Sequence, residues 1–424
     1  MNDLSTAAAE LAAETTRILE RLASCSDGTE SAGGVTRLLY TKAWSDAQRV
    51  LEDEMKKAGL ETRYDNVGNL YGRLPGRLED APTVLTGSHV DTVRSGGKYD
   101  GAYGIAAGIA ALAFLKKTHG TPLRPLEVVS FCEEEGSRFP IAYWGSGNVT
   151  GLFDWRGEAA DLRDADGISL MDAMVEAGFG KPDGGDCRRT DLAAFVELHV
   201  EQGMVLERSE QQIGIVETIV GQRRYSVFLE GAANHAGTTP MTMRTDAMAG
   251  AAEIIFRMET LASQWGGPLV ATVGRIIAAP NTPNVIAGNV EFTLDIRHAD
   301  EWKLTAFCEL ILTEVERIAL RRGLKYATKP WLSTLPVPMS TSLSIRAERI
   351  CFNLSMTCRR MVSGAGHDAQ LLATECPTAM IFVPSKGGFS HSPQEYTSPA
   401  QLADGLTVLI ALLQELAYEE LTAP

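Results

Sequence analysis

The chain has 424 residues, 45% of them hydrophobic and 22% charged, with a formal net charge of −15. That length exceeds what one hydrophobic core ordinarily serves, so two folding units are expected. The acidic balance argues against a nucleic-acid or anionic-membrane partner, since both need clustered Lys and Arg; an anionic substrate would need locally placed arginines.

The first twenty residues, Met1 to Glu20, are acidic and alanine-rich, with no basic segment leading into an apolar one, so they do not read as a secretory signal. No apolar run reaches the length that spans a bilayer. The seven cysteines (Cys25, Cys132, Cys187, Cys308, Cys351, Cys358 and Cys376) are odd in number, scattered and free of CxxC pairs. This usage fits reduced thiols in a cytoplasmic protein. Cys132 sits beside an acidic motif but reads as a small core residue.

An amphipathic helix is expected from Ser45 to Gly59, then a strand, turn and strand over Glu61 to Leu74, with Asn66 and Gly68 supplying the turn. Next come a strand at Thr83 to Ser88, a Gly-rich loop, a helix at Tyr103 to Lys117 and a strand at Leu126 to Phe131. Strands alternating with helices imply a mostly parallel sheet covered on both faces, with ligands gathering beyond the carboxyl ends of its strands. From Ile213 to Pro330 the order becomes strand (225–229), helix (246–261), strands (269–277 and 290–296), helix (302–322) and strand (324–328), the pattern of a ferredoxin-like unit. The chain then returns to α/β character, with an apolar strand at Ala379 to Val383. The expected fold is therefore α/β with two domains. A metal-binding mixed α/β sheet domain (1–212 and 331–424) carries an inserted ferredoxin-like α+β domain (213–330).

Four of the seven histidines, His89, His199, His235 and His391, lie in polar, glycine-containing motifs after apolar strands. In Gly87-Ser88-His89-Val90-Asp91 the i, i+2 spacing puts His89 and Asp91 on one side of an extended chain, so Asp91 can orient the imidazole as a supporting carboxylate. Eleven residues after His89, Asp100 occupies a Gly-rich loop, and Glu133-Glu134-Glu135 follows the strand ending near Cys132. Adjacent carboxylates repel one another unless positive charge offsets them, and metal ions do so economically. Two histidines with carboxylates, one of them bridging, form the nitrogen and oxygen donor set of a pair of Zn²⁺ or Mn²⁺ ions.

The pattern His89…Asp100…Glu134-Glu135…His199…His391 resembles the M20 dinuclear metallopeptidase family, which also holds aminoacylases and carbamoylases. The segments GSHVDTV, GGKYDGAYG, EEEGSRF, ELHVEQG, ANHAGTTPM, SGAGHDA and FSHSPQE resemble its branch that hydrolyses carbamoyl and ureido groups. GGVTRLLYTKAW, GLETRYDNVGNLYGRL, FPIAYWGS and VGQRRY resemble the members acting on allantoate rather than on N-carbamoyl-L-amino acids.

The resemblance implies two divalent ions per subunit, Mn²⁺ or Zn²⁺, and a small anionic ureido substrate. His89 and His391 would be terminal ligands, one on each ion together with Glu135 or His199, with Asp100 bridging; the partition between ions stays open. Glu134 falls on the family's acid/base position and His235 on its transition-state histidine. Gln202, Arg224, Asn284 and Arg297 fall on substrate-binding positions. The resemblance further implies a homodimer formed through the inserted domain, and closure of the two domains over the substrate. Ala287 departs from the family's frequent proline, which leads one to expect a looser loop beside Asn284. Arg223 is expected to be the surface member of the Arg223-Arg224 pair, and His119 and His298 ordinary surface histidines. His367-Asp368 lies in a motif typical of the family but receives no step. The rival readings are an N-carbamoyl-L-amino acid hydrolase, an aminopeptidase, and a metal-containing binding protein without activity; an acid/base at Glu134 speaks against the last.

Overall fold

The computed structural model describes residues 2–27, 33–78, 80–181 and 187–419, with side chains from residue 8 onward. Two compact units emerge: Met1–Glu217 with Met339–Met361 and His367–Pro424, and Thr218–Pro338 with Val362–Gly366. The segment Ile213–Glu217, expected in the insert, stays with the first unit because Gly214 and Ile215 pair with the strand at Thr378–Val383. At its other end the insert runs on to Pro338, eight residues past the expected limit.

In chain order the elements are α1 (Asn2–Ala23), α2 (Lys42–Lys57), β1 (Glu61–Tyr64), β2 (Leu70–Leu74), β3 (Thr83–His89), α3 (Ala102–His119), β4 (Leu126–Phe131), α4 (Trp144–Thr150), α5 (Leu170–Glu176), β5 (Leu192–Val200), α6 (Val205–Arg208) and β6 (Ile213–Ile219). The second unit contributes β7 (Gly221–Glu230), α7 (Ala247–Trp265), β8 (Val270–Thr272), β9 (Ile276–Ala279), β10 (Asn289–His298), α8 (Glu301–Arg321), β11 (Lys325–Thr334) and β12 (Val337–Pro338). The chain closes with α9 (Thr341–Asn353), β13 (Cys358–Ser363), α10 (Asp368–Leu372), β14 (Thr378–Val383) and α11 (Pro399–Tyr418).

The large sheet runs β1-β2-β4-β3-β5-β14-β6-β12, with β13 also on β6. Its centre, β4-β3-β5-β14, is parallel, and β3, β4 and β14 are buried along their whole lengths. Strands covered on both faces need continuous apolar runs, which is what these sequences supply. Helix α2 begins three residues earlier than expected because the Thr41 hydroxyl accepts from Trp44 N and caps it. Its buried face is Trp44, Ala47, Leu51 and Met55, the spacing of one helical side.

Helix α3 lies directly on the sheet. A Cβ at Gly104 would stand 2.5 Å from the Leu198 carbonyl oxygen, and one at Gly108 would stand 2.7 Å from the Val128 side chain. Helix α11 has the length and apolarity of a bilayer span, contrary to the expectation that no such stretch exists, yet 61% of that stretch is buried inside the protein. It is apolar because it forms part of the first unit's core, with Leu402, Leu406, Leu409, Leu413 and Leu416 buried.

The second unit has the antiparallel order β11-β7-β10-β8, with β9 also on β10. Counting β8 and β9 together as the second strand, this is the 4-1-3-2 order of a ferredoxin-like fold. The single strand expected over 269–277 is two short ones, which pair with different parts of β10. Buried residues alternate along β10 from Val290 through Phe292, Leu294 and Ile296 to His298 and, apart from His298, join residues of α7 and α8 in a separate core. His298 is therefore not a surface residue: it is 3% exposed, and its Nδ1 accepts from Asp300 N at 2.8 Å.

Gly87 sits in β3 at φ 145, and a Cβ there would be 2.0 Å from the Val129 carbonyl oxygen on β4. Gly87→Ala should therefore cost about 3 kcal/mol or more by forcing central parallel strands apart. A fall in the thermal or denaturant midpoint checks this; an unchanged midpoint would contradict the close approach.

Candidate metal centre

The parallel strands end together, and the polar motifs begin there. His89 is the last residue of β3, His199 the penultimate one of β5, and Glu133-Glu134-Glu135 follows β4 within two residues. Asp100 is carried over the top by the loop before α3. Gly101, at φ 62, allows that approach, since a Cβ there would meet the His89 ring at 2.5 Å.

One carboxylate sits at the middle. Asp100 Oδ1 lies 3.5 Å from His89 Nε2 and 3.2 Å from His199 Nε2, while Oδ2 lies 3.3 Å from His391 Nε2. His391 Nε2 is also 3.4 Å from Glu135 Oε1. Donor atoms of His89, Asp100 and His199 lie within 4.8 Å of one another, as do those of Asp100, Glu135 and His391, and those of His89, Glu134 and Glu135. All five expected ligands and Glu134 are thus brought together. Asp100 has one oxygen toward each histidine group, the placement a bridging carboxylate needs.

The two buried histidines nearest Asp100, His89 and His199, have their other ring nitrogen engaged. His199 Nδ1 is 2.8 Å from the Val200 carbonyl oxygen, and His89 Nδ1 is 3.2 Å from the Asp91 carbonyl oxygen and 3.3 Å from Asp91 Oδ1. With Nδ1 so engaged, Nε2 is the ring nitrogen turned toward the cage, the one a metal ligand would use. Asp91 does more than the spacing foretold. Its oxygens also accept from Glu134 N at 2.9 Å and Glu135 N at 3.2 Å, so one carboxylate ties the end of β3 to the acidic turn after β4.

The electrostatics call for a cation. Burial alone would lower the His89 imidazole, but contact with Asp100 and Asp91 outweighs it and holds the group well above its ordinary value. His391 is raised to about 9, first by its contact with Asp100. Glu135 is pushed up to about 7 by burial and then by Asp100, and burial drives Glu134 well above the usual carboxylate range. Buried Glu133 Oε2, Asp368 Oδ2 and Gln202 Oε1 have no hydrogen-bond partner among the described residues. Clustered carboxylates, imidazole Nε2 atoms turned inward and unpartnered oxygens together fit a divalent-metal centre.

Sequence reasoning missed two supporting residues. Glu395, 5% exposed, accepts from Tyr99 N at 2.8 Å and Asp100 N at 3.1 Å, fixing the loop that presents Asp100. Its position four residues after His391 in FSHSPQE was the available signal. Glu197, fully buried on β5, accepts from Ser88 Oγ and Ala369 N. His367 stacks edge-on to His199 at 4.6 Å between ring centres. Gln202 is found on Asp100, donating from Nε2 at 2.9 Å.

The remaining expected residues lie in the second unit. His235 is exposed, and its Nδ1 accepts from Gly237 N at 2.9 Å and Thr238 N at 3.2 Å. Those two donors place the ring proton on Nε2, so the imidazole offers an outward N–H. Asn284 lies on the neighbouring segment: its carbonyl accepts from Ala236 N at 2.9 Å, and Val285 bridges His235. The Ala287 stretch expected to be loose is tied by Ala247 N to the Ala287 carbonyl and by Gly288 N to the Ala279 carbonyl. Arg224 and Arg297 converge on Asp295. Arg223 is not the surface member of its pair: its side chain is 13% exposed against 31% for Arg224, because it points to the helical side and pairs with Glu301 at the start of α8.

A parallel α/β sheet with an imidazole–carboxylate cage beyond its strand ends, and a ferredoxin-like second unit, define a metal-dependent hydrolase. The chain belongs to peptidase family M20/M25/M40, whose pattern matches residues 85–415. It is 49% identical to allantoate amidohydrolase from Bacillus subtilis (strain 168) over 391 residues, covering 92% of this chain and 95% of that protein. It is 44% identical to allantoate amidohydrolase from Escherichia coli (strain K12) over 393 residues, covering 93% and 95%. An amidase of the hydantoinase/carbamoylase family from Burkholderia multivorans superposes with a TM-score of 0.91 at 34% identity, covering 96% of this chain and 98% of that one. Within the family the chain is an amidohydrolase, acting on C–N bonds other than peptide bonds.

Metal binding should be proton-linked. With its ordinary value raised to about 9, the ion-free His391 imidazole is mostly protonated at pH 7, and a cation taking its lone pair must displace that proton. Calorimetry of Mn²⁺ or Zn²⁺ binding in buffers of different ionisation enthalpy should show net proton release at pH 7 that diminishes toward alkaline pH. Affinity should fall about tenfold per pH unit for each proton displaced as the pH is lowered. Binding with no proton exchange at pH 7 would contradict a cage that is partly protonated before the cation arrives.

Proposed function

We propose that this protein hydrolyses allantoate to ureidoglycine, ammonia and CO₂ with two divalent ions, Mn²⁺ or Zn²⁺, held by His89, Asp100, Glu135, His199 and His391. The observation that carries the reading is the division of Asp100, with Oδ1 toward His89 and His199 and Oδ2 toward His391, beside an otherwise unassigned buried Glu134. The two allantoate amidohydrolases described above supply the substrate. On this reading His89 and His199 would hold one ion and Glu135 and His391 the other, with an oxygen of Asp100 available to each.

When bound, the ions supply a more acidic water and a Lewis acid for the ureido carbonyl. Glu134, a carboxyl that burial keeps well above its usual range, would take the proton of the attacking water, hold it and deliver it to the departing nitrogen. The Nε2–H of His235 is the donor for the negative charge growing on the carbonyl oxygen. Arg224 and Arg297 receive the substrate carboxylate, since planar guanidinium donors match its geometry. Asn284 and Gln202 contact the ureido groups, Gln202 through the oxygen that lacks a partner. Departure of ammonia leaves a carbamate on the remaining nitrogen of the substrate, and its loss of CO₂ gives ureidoglycine. The second unit acts as lid and dimerisation domain of a cytoplasmic homodimer.

A second reading, hydrolysis of N-carbamoyl-L-amino acids, is favoured by the close superposition on the Burkholderia multivorans amidase. It uses the same centre on a substrate with one ureido group. Ammonia release from allantoate and from N-carbamoyl amino acids, with Mn²⁺ and Zn²⁺ separately, decides between them. The proposal expects allantoate to be preferred; turnover of carbamoyl amino acids alone would replace it with the second reading.

Glu134→Gln should keep its metal and lose about a hundred- to ten-thousand-fold in kcat. A metal-replete variant with normal turnover would take the acid/base role from Glu134. Arg297→Ala should raise KM for allantoate about tenfold or more at unchanged metal content. Unaltered kinetics would show that the carboxylate is received elsewhere.

A further inference from the structure

The open face of the second unit's sheet holds a charge cluster that the mechanism uses only in part. In the register of β7 and β10, Arg224 stands opposite Asp295, and Arg297 is two residues further along β10, so all three side chains share one face. Arg224 Nε donates to Asp295 Oδ2 at 2.7 Å. Arg297 Nε donates to Oδ1 at 2.8 Å and its Nη2 to Oδ2 at 3.0 Å. A fourth contact, Arg297 Nη1 to the Gly364 carbonyl oxygen at 2.8 Å, fixes that guanidinium from the other side.

These bonds leave specific donors free. Arg224 is held through Nε alone, and among the described residues neither of its terminal nitrogens has a hydrogen-bond partner. The cluster opens into a cleft of about 420 Å³ lined by Arg224, Thr272, Thr293, Asp295, Arg297 and Trp331. Trp331 reaches it through an irregularity: the register of β11 shifts between Pro330 and Leu332, and the indole lies 5.4 Å from the Arg224 guanidinium carbon. Bulges beside a cleft commonly re-aim one side chain in this way.

We infer that Asp295 is a positioning residue that locks Arg224 and Arg297 into one carboxylate receptor carrying a single net positive charge. Two guanidinium groups and one carboxylate leave one positive charge, the complement of one substrate carboxylate. Without Asp295 two like charges would face each other across a half-exposed cleft and splay, since nothing else in the cleft lining is anionic. The arginines keep Asp295 ionised: although burial pushes its carboxyl up, Arg297 and then Arg224 bring it below its ordinary value. This assignment rests on the proposed role of the two arginines in receiving the substrate carboxylate.

The test is Asp295→Asn, which keeps the side-chain shape and removes the charge, in metal-replete enzyme. On allantoate, KM should rise about tenfold or more while kcat stays within about threefold, with metal content and melting temperature unchanged. If the wild type acts only on N-carbamoyl amino acids, the proposed substrate is wrong, and the same comparison is made on those monocarboxylates. A KM equal to wild type, or a loss confined to kcat, overturns the inference.

A readout that needs no substrate accompanies this: the rate of phenylglyoxal labelling at Arg224 and Arg297, followed by peptide mass. It should rise at least about threefold in D295N because the guanidiniums lose their tether, and equal rates overturn the inference. Should D295N fail to fold, Asp295→Glu displaces the same charge by one methylene. It should raise KM by an intermediate factor, and an unchanged KM overturns the inference.

Discussion

The sharing of one buried carboxylate among three imidazoles organises this molecule. Asp100 is brought to His89, His199 and His391 from four separate stretches of chain, and Glu134, Glu135, Glu197, Asp368 and Glu395 crowd round it with little solvent between them. So many acidic groups in a low-dielectric interior are costly unless positive charge balances them. In the ion-free protein, protons do part of that balancing, which is why His89 and His391 are raised. A divalent cation would do the same with donors already aimed.

The loops around the cage are shaped by the same need. Each acidic segment is fixed by a second carboxylate that accepts from its backbone: Asp91 holds the amides of Glu134 and Glu135, and Glu395 holds those of Tyr99 and Asp100. Backbone N–H groups are the only positive partners such turns can use without adding a side chain. The parallel sheet makes this possible, because β3, β4, β5 and β14 deliver their ends to one edge, and residues far apart in sequence meet there. The second unit applies the opposite sign, with two arginines held by one aspartate on an open sheet face.

Much of this was legible from the sequence because polar motifs interrupt long apolar strands. His89, Asp100, Glu135, His199 and His391 stand where β3, β4, β5 and β14 stop or in the loops that follow, and periodicity finds β3, β4 and β14 to within a few residues, though it assigns no range to β5. What escaped depended on partners distant in the chain. Glu395 acts on amides 295 and 296 residues earlier, which no local pattern reveals. His298 and Arg223 were misjudged for a different reason. Period-two alternation correctly separates the two faces of a strand, but it does not say which face the helices cover. Along β10 the covered set runs Val290 to Ile296 and includes His298, and on β7 it includes Arg223 rather than Arg224. The split of the 269–277 strand into β8 and β9 was likewise invisible, since each half finds its register only against β10.

A receptor of single net charge bears on substrate choice. Allantoate and the N-carbamoyl derivatives of neutral amino acids each carry one carboxylate, so on the proposed reading the Arg224–Asp295–Arg297 cluster would accept both and reject neither on charge. On the proposed reading, discrimination between two ureido groups and one therefore falls to neutral groups that can meet the additional N–H and C=O. Gln202 is suited to this, with its amide nitrogen engaged by Asp100 and its buried oxygen without a partner. A site built to satisfy a hydrogen-bonding group disfavours an analogue that lacks it, because the buried polar atom is then left unpaired. On that reading the carboxylate receptor would set the class of substrate, and the amide oxygen of Gln202 is where its members would be told apart.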